Sequence, residues 1–484
     1  LSVLAAGTAS FAQAPAAGAP AATAPAATPP APNAGTSGDR MGDIVLAANS
    51  IRFNGANATS LTAQGGDIAI IAARDVVIQH APGSPLSMVV NRGSVYPFSR
   101  QQVGGKITAT GRNITVASIN ADPTSFFAGI DLQGSLVATG AAQTDRGIVL
   151  TSTMTAPGVT FGSPPSSAPG ALIATPTDMA LGGILTGPIN LQSASGISLL
   201  SKSLTFNLAS VTATGAISIT GKSVYTDSTP VTGGSVTFNA LEPLSFIRVG
   251  GQIRSTAGDI VFGGGLTINA STNDMIRSAR DIGGTSMGSL LGVSLLEAGR
   301  DISLVAKEFS FAGLPSTISA GRSIELRNID SSGSIAGSGV RVTSGGDITF
   351  QSSRAITLSD VTAVGGKLTA TGGAISLGLV TADAGVQLRT NPLAGLTGNI
   401  TLRNATISGV ADFDADASGQ FSVDNVSAGR DILVRAIGNV GFNTTGSTAG
   451  RNFSVSGASI FGANFKATTG FISAIAGNRV VISG

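Results

Sequence analysis

The chain has 484 residues, of which 11% are charged, 5% are aromatic and 66 are glycine; cysteine and tryptophan are absent. Without cysteine there is neither a disulfide framework nor a thiolate-ligated metal site. The formal net charge of +2, with no run of Lys or Arg interleaved with aromatic rings, leaves a nucleic-acid partner without an electrostatic basis. Hydrophobic residues reach 42% and recur steadily between the glycines, a pattern that argues against a disordered body and for thin, repeated packing layers.

In chain order, Leu1 to Ala14 read as small and apolar residues ending in Ala12-Gln13-Ala14, a site of the A-x-A type, and are expected to be a partial signal peptide. Residues 15–41 are dominated by Ala, Pro, Thr and Gly and are expected to be an extended linker. Export together with the lack of cysteine suits a protein secreted by, or held on the surface of, a Gram-negative bacterium.

From residue 42 to 484 one phrase recurs: a glycine, one or two polar residues, then an alternating apolar run. It appears as Gly66-Asp67-Ile68, Gly258-Asp259-Ile260 and Gly346-Asp347-Ile348. An arginine-bearing form appears as Gly299-Arg300-Asp301-Ile302, Gly321-Arg322-Ser323-Ile324, Gly429-Arg430-Asp431-Ile432 and Gly450-Arg451-Asn452-Phe453. The first apolar residues Ile260, Ile282, Ile302, Ile324, Ile348, Leu368 and Val386 follow one another at about 20 residues, and Ile432, Phe453 and Phe471 continue the series. Within one period, Ile348-Thr349-Phe350 and Ile356-Thr357-Leu358 place apolar residues two apart, which is the alternation of short strands. Gly, Ser, Asn and Asp separate them, as turns require. Three such strands make one coil, and a coil buries its inner face only by stacking on another. The expected fold is therefore all-β: a right-handed parallel β-helix, or β-solenoid, with coils of about 20 residues. Residues 122–188 are expected to be a loop-rich, irregular section, because Pro164, Pro165 and Pro169 cannot donate to a ladder.

The segments Ala298-Gly299-Arg300-Asp301-Ile302-Ser303-Leu304 and Ser427-Ala428-Gly429-Arg430-Asp431-Ile432-Leu433 resemble the repeats of filamentous-haemagglutinin-like exoproteins, large bacterial surface adhesins with β-helical shafts. The resemblance covers most of residues 42–484. The N-terminal secretion domain of that family has no recognisable counterpart in Gly42 to Asn54, where its Asn-Pro-Asn-Gly-Ile-like motif is missing. The resemblance implies a rigid shaft that attaches to host or abiotic surfaces, glycans or matrix. It also implies an outer-membrane export pore as partner, and an open coil end makes self-association a further expectation.

Candidate chemistry is sparse. His80 is the only histidine and has neither a second histidine nor a cysteine to share a metal. Asp412, Asp414 and Asp416 are spaced two apart. On a strand all three would face one way and could form half of a Ca²⁺ site, with a solvated acidic face as the alternative. No other cofactor is expected. Arg300, Arg322, Arg430 and Arg451 either form a row that binds anionic partners or close a corner ladder with the aspartates. No acid, base and stabiliser come together in the sequence. The expectation is a structural or adhesive protein and not an enzyme. The alternatives are a polysaccharide-active β-helix built around residues 122–188, or a passive matrix or coat protein.

Overall fold

The alternating runs become short parallel strands in the structure, a computed structural model. It describes residues 2–4, 8–11, 43–48, 50–53, 59–73, 76–79, 87–90, 102–118, 129–139, 148–152, 159–162, 172–175, 179–182, 184–186, 190–193, 195–201, 210–221, 223–226, 230–240, 246–249, 251–264, 267–270, 275–311, 316–391, 397–443 and 446–483. Every regular element among them is a strand, and no helix long and apolar enough to cross a membrane occurs among them. The strands stack as a β-solenoid whose successive turns lie roughly 21 residues apart, as the period requires. The chain divides into two units, Leu1–Gly233 and Gly234–Gly484.

In the first unit one column of paired residues runs Ile44, Ile68, Ile114, Ile148, Met179, Ile197, Ile217, each in parallel register with the next. The strands Ser2–Leu4 and Thr8–Phe11, inside the segment read as a leader, pair in parallel with Ile44–Ala48 and Ser50–Phe53. The expected linker, residues 15–41, lies outside the described residues. The section expected to be irregular keeps its place in the ladder through Gly129–Ala138, Ile148–Ser152, Val159–Gly162, Leu172–Thr175, Met179–Gly182 and Ile184–Thr186. Pro164, Pro165 and Pro169 lie outside the described residues. A hairpin departs from the parallel pattern: Val76–Gln79 pairs antiparallel with Ser87–Val90.

The second unit shows the coil most completely. Its first column runs Val236, Ile260, Ile282, Ile302, Ile324, Ile348, Leu368, Val386, Phe413, Ile432, Phe453, Ile472. Sequence spacing had pointed to Phe471 for the last of these. The structure corrects it by one residue: Ile472 pairs with Phe453, while the Phe471 carbonyl accepts the Phe453 N–H at 2.9 Å. A second column runs Ile276, Leu296, Ile318, Val342, Val361, Val380, Ala405, Val426. A third runs Phe309, Ile335, Ile356, Ile375, Ile400, Phe421, Val440, Ile460. All members but Ile472 are buried. Three inward faces thus meet in one core, and each buried Ile, Leu or Phe contributes about 1.5–3 kcal/mol of apolar burial.

Rings stack along the core where the columns carry phenylalanine. Phe238 lies over Phe262 at 5.7 Å between centroids, and Phe442 touches Phe421, Phe453 and Phe465 at 5.9, 5.6 and 5.0 Å. Buried hydroxyls at the corners are satisfied by the preceding coil: Ser255 Oγ donates to the Gly234 carbonyl at 2.9 Å and Ser344 Oγ to the Arg322 carbonyl at 2.9 Å.

Candidate functional site

The Gly-Arg-Asp phrase marks one corner of the second unit, at the entry to the first strand of each coil. Two properties of the sequence build that corner. Glycine stands where coils approach most closely, since a Cβ on Gly299, Gly321, Gly429 or Gly450 would collide with a backbone carbonyl oxygen of the coil before. Aspartate follows because a short carboxylate can accept a turn N–H from the next coil while still facing solvent.

Where a coil carries the arginine, in the stretches 280–322 and 430–451, it reaches back one coil to that carboxylate. Arg300 Nε donates to Asp281 Oδ1 at 2.9 Å and its Nη2 pairs with Oδ2, while the Asp301 N–H also donates to Asp281 Oδ1 at 3.2 Å. Arg322 forks onto Asp301 in the same way, with Nε at 3.0 Å, and Ser323 Oγ donates to Asp301 at 2.6 Å. The pattern returns as Arg430 on Asp412, whose Oδ1 accepts the Asp431 N–H at 3.1 Å, and as Arg451 on Asp431. Arg280 extends it to Asp259 at 3.7 Å. Each Arg-Asp dipeptide thus faces both ways, its arginine to the coil before and its aspartate to the coil after. The fork uses both carboxylate oxygens, a geometry that guanidinium provides and ammonium does not.

This resolves the choice posed by the sequence. Arg300, Arg322, Arg430 and Arg451 do stand in a row, but their charge is directed into a corner ladder. The pairs remain partly open to water, with the Arg322 side chain 67% exposed, so each is worth little singly. Their value is repetition and register. The hydrogen bonds from Arg322 hold the Asp301 carboxyl down at about 2, against burial that acts in the opposite direction. Asp281, Asp412 and Asp431 are lowered for the same reason, by Arg300, Arg430 and Arg451.

A pH dependence follows. These carboxylates are more acidic folded than unfolded, so the ladder stabilises the fold above the ordinary aspartate value of 3.8. That stabilisation is lost as pH falls towards about 2. The thermal unfolding midpoint, followed by circular dichroism, is expected to drop by several degrees between pH 5 and pH 2. Asp301→Asn, which keeps an acceptor for Ser323 but cannot titrate, should lower the midpoint at pH 6 and flatten the acid limb. An Asp301→Asn curve parallel to that of the parent would remove the ladder from the explanation.

Of the three aspartates proposed for Ca²⁺, Asp414 and Asp416 lie on the strand that begins at Phe413, and Asp412 immediately precedes it at the corner, where Arg430 forks onto it. All three carboxylates meet arginines. Asp414 pairs with Arg389 and, at 3.3 Å, with Arg435; Asp416 pairs with Arg435 at 3.4 Å. Among the described residues no group of three or more His, Asp or Glu side chains is placed to hold a metal ion. His80 lies outside the described residues.

Arg389 and Arg435 were not singled out in the sequence. Their signal was present nonetheless: Arg435 follows Asp414 and Asp416 by 21 and 19 residues, one coil period. Comparison with protein-family models, with curated proteins and with solved structures found no match.

Proposed function

We propose that this chain is a secreted or cell-surface protein of a Gram-negative bacterium with a structural or adhesive role, comparable to filamentous-haemagglutinin-like exoproteins. It acts by holding and presenting a surface, not by catalysis. The observation that supports this most is the corner ladder, in which each Arg-Asp dipeptide closes onto its neighbours. A scaffold that consumes its own charges this way offers stiffness and repetition, and leaves the outward strand faces for contact. Those faces carry hydroxyls in register: Thr357, Ser376, Thr401 and Ser422 oppose one another on successive coils. Many weak, equally spaced contacts add up through multivalency, which suits attachment to host or abiotic surfaces, to glycans or to an extracellular matrix.

Fractionation of the native cells, blotting for the protein and repeating after mild protease shaving tests the location. Beads coated with the purified chain test attachment to matrix and to bare surfaces. The expected result is a surface or medium species lost on shaving, and beads that adhere. Confinement to the periplasm, with beads that do not adhere, would overturn the proposal.

A further inference from the structure

On the outer face of the second unit, away from the arginine corner, a groove of about 440 Å³ crosses several coils. It lies on the paired strands Ala355–Ala363, Ala374–Ala382, Ile400–Ile407 and Phe421–Ala428. In-register pairing sets its chemistry. Ser376, Thr401 and Ser422 stand directly opposite one another and line one side, so three hydroxyls follow at about 4.8 Å, the spacing of adjacent strands.

The other side is built from a break in the alternation. After Leu377 both Gly378 and Leu379 fail to turn inward, and Leu379 is left 44% exposed in a polar setting. Gly378 lies close against the coil before, where a Cβ would strike the Ser359 carbonyl oxygen. Beyond it come Arg403, Asp424 and Asn443. Asn443 Nδ2 donates to Ser422 Oγ at 3.0 Å, and Asp360 pairs with Arg341 at 3.6 Å. Arg403 has no carboxylate partner among the described residues, unlike the corner arginines.

Each part narrows the ligand. A row of hydroxyls repeating once per coil matches a chain that presents hydroxyls once per unit, and the strand spacing is close to the length of one pyranose. The exposed Leu379 offers an apolar platform of the kind that the C–H face of a sugar ring covers. Asp424 and Asp360 accept hydroxyl protons, while Arg403 donates. Two carboxylates, Asp360 and Asp424, line the groove against the single Arg403, which disfavours a polyanion. A peptide strand would need a free sheet edge for its backbone, and this groove lies on a sheet face.

We propose that the groove binds a neutral linear polysaccharide, its chain running along the coil stack with about one sugar unit per coil. This rests on the adhesive function proposed above and names its ligand class.

The test uses the purified full chain and a panel of neutral hexasaccharides: β-1,4-linked glucose, β-1,4-linked mannose and β-1,3-linked glucose. Binding is read by isothermal titration and by saturation-transfer NMR. At least one is expected to bind, and Arg403→Ala combined with Thr401→Ala should weaken it by about tenfold or more, with an unchanged circular-dichroism spectrum. Glu325→Ala, outside the groove, should leave binding as it is. The proposal is overturned if no neutral hexasaccharide binds, if the groove variant binds equally well, or if a polyuronate hexasaccharide is preferred to all three. Bead adhesion separates the two levels. Beads that adhere while no hexasaccharide binds sink the groove alone, whereas hexasaccharide binding by a protein confined to the periplasm sinks the adhesive function alone.

Discussion

Phe442→Ala is expected to destabilise the coils on either side of it by about 3–5 kcal/mol, the range for deleting a large buried aromatic. The side chain is only 5% exposed and touches three other rings, those of Phe421, Phe453 and Phe465. Its removal leaves a cavity that closes poorly, because two of the neighbouring rings, Phe421 and Phe453, belong to strands held in register by backbone ladders. The effect should also be local. In a solenoid each coil touches chiefly its neighbours, so stability is close to a sum of coil and interface terms. Hydrogen exchange followed by mass spectrometry should show lost protection in peptides spanning residues 413–467 and little change over 236–330. Loss of protection spread evenly over the second unit would mean that it unfolds as one cooperative body, against the nearest-neighbour account.

How much of this was legible in the sequence depends on which interaction carried it. The coil period and the inward columns were, because Gly, polar residue and Ile recur at nearly constant spacing and one β-strand face repeats every two residues. The one-residue error at Phe471 shows the limit of that signal. Phe471 and Ile472 are adjacent apolar residues, so spacing alone could not say which enters the column. Phe471 instead takes the position held by Asp431 and Asn452 in the two coils before, and a slip of one residue exchanges inside for outside. The hairpin Val76–Gln79 with Ser87–Val90 was signalled by Pro82-Gly83 between two apolar runs, but was hidden behind the stronger expectation of parallel coils.

The candidate sites divide along the same line. The Arg–Asp corner was readable because both partners recur inside the repeat phrase itself. The spacing of the aspartates at 412, 414 and 416 did not reveal their arginine partners, because Arg389, Arg430 and Arg435 lie on the adjacent coils. Phe413 follows Val386 by more than the usual period, mostly because of the chain between Thr390 and Ile400, and Val410 is 83% exposed beside the corner. The groove was not legible at all. Ser376, Thr401, Ser422 and Asn443 lie on four different coils, and only the register of pairing aligns them.

The corner glycines permit the most demanding test, because two explanations for them predict very different magnitudes. If glycine stands at 321 merely to ease a turn, alanine there should be nearly neutral. The structure argues otherwise. A Cβ on Gly321 would overlap the carbonyl oxygen of Gly299, a backbone atom with no rotamer to change. Relief requires the two coils to separate, which strains the Gly321 N–H bond to the Ala298 carbonyl at 3.1 Å and the Arg322 N–H bond to the Arg300 carbonyl at 2.7 Å. It also pulls at the Arg322 fork on Asp301. Gly321→Ala is therefore expected to cost about 3 kcal/mol or more, beyond the upper end of ordinary overpacking, where side chains can adjust. Gly283→Ala supplies the contrast. A Cβ there meets nothing within 4 Å, and the backbone conformation is one that alanine adopts freely. It should be neutral or stabilise by about 0.4–1 kcal/mol through the unfolded chain. Urea midpoints of the two variants decide the matter: opposite shifts support close approach of coils as the reason for glycine, and equal shifts refute it. Should Gly321→Ala fail to fold, Gly283→Ala expressed in parallel shows whether the failure belongs to the corner or to any added methyl in the coil.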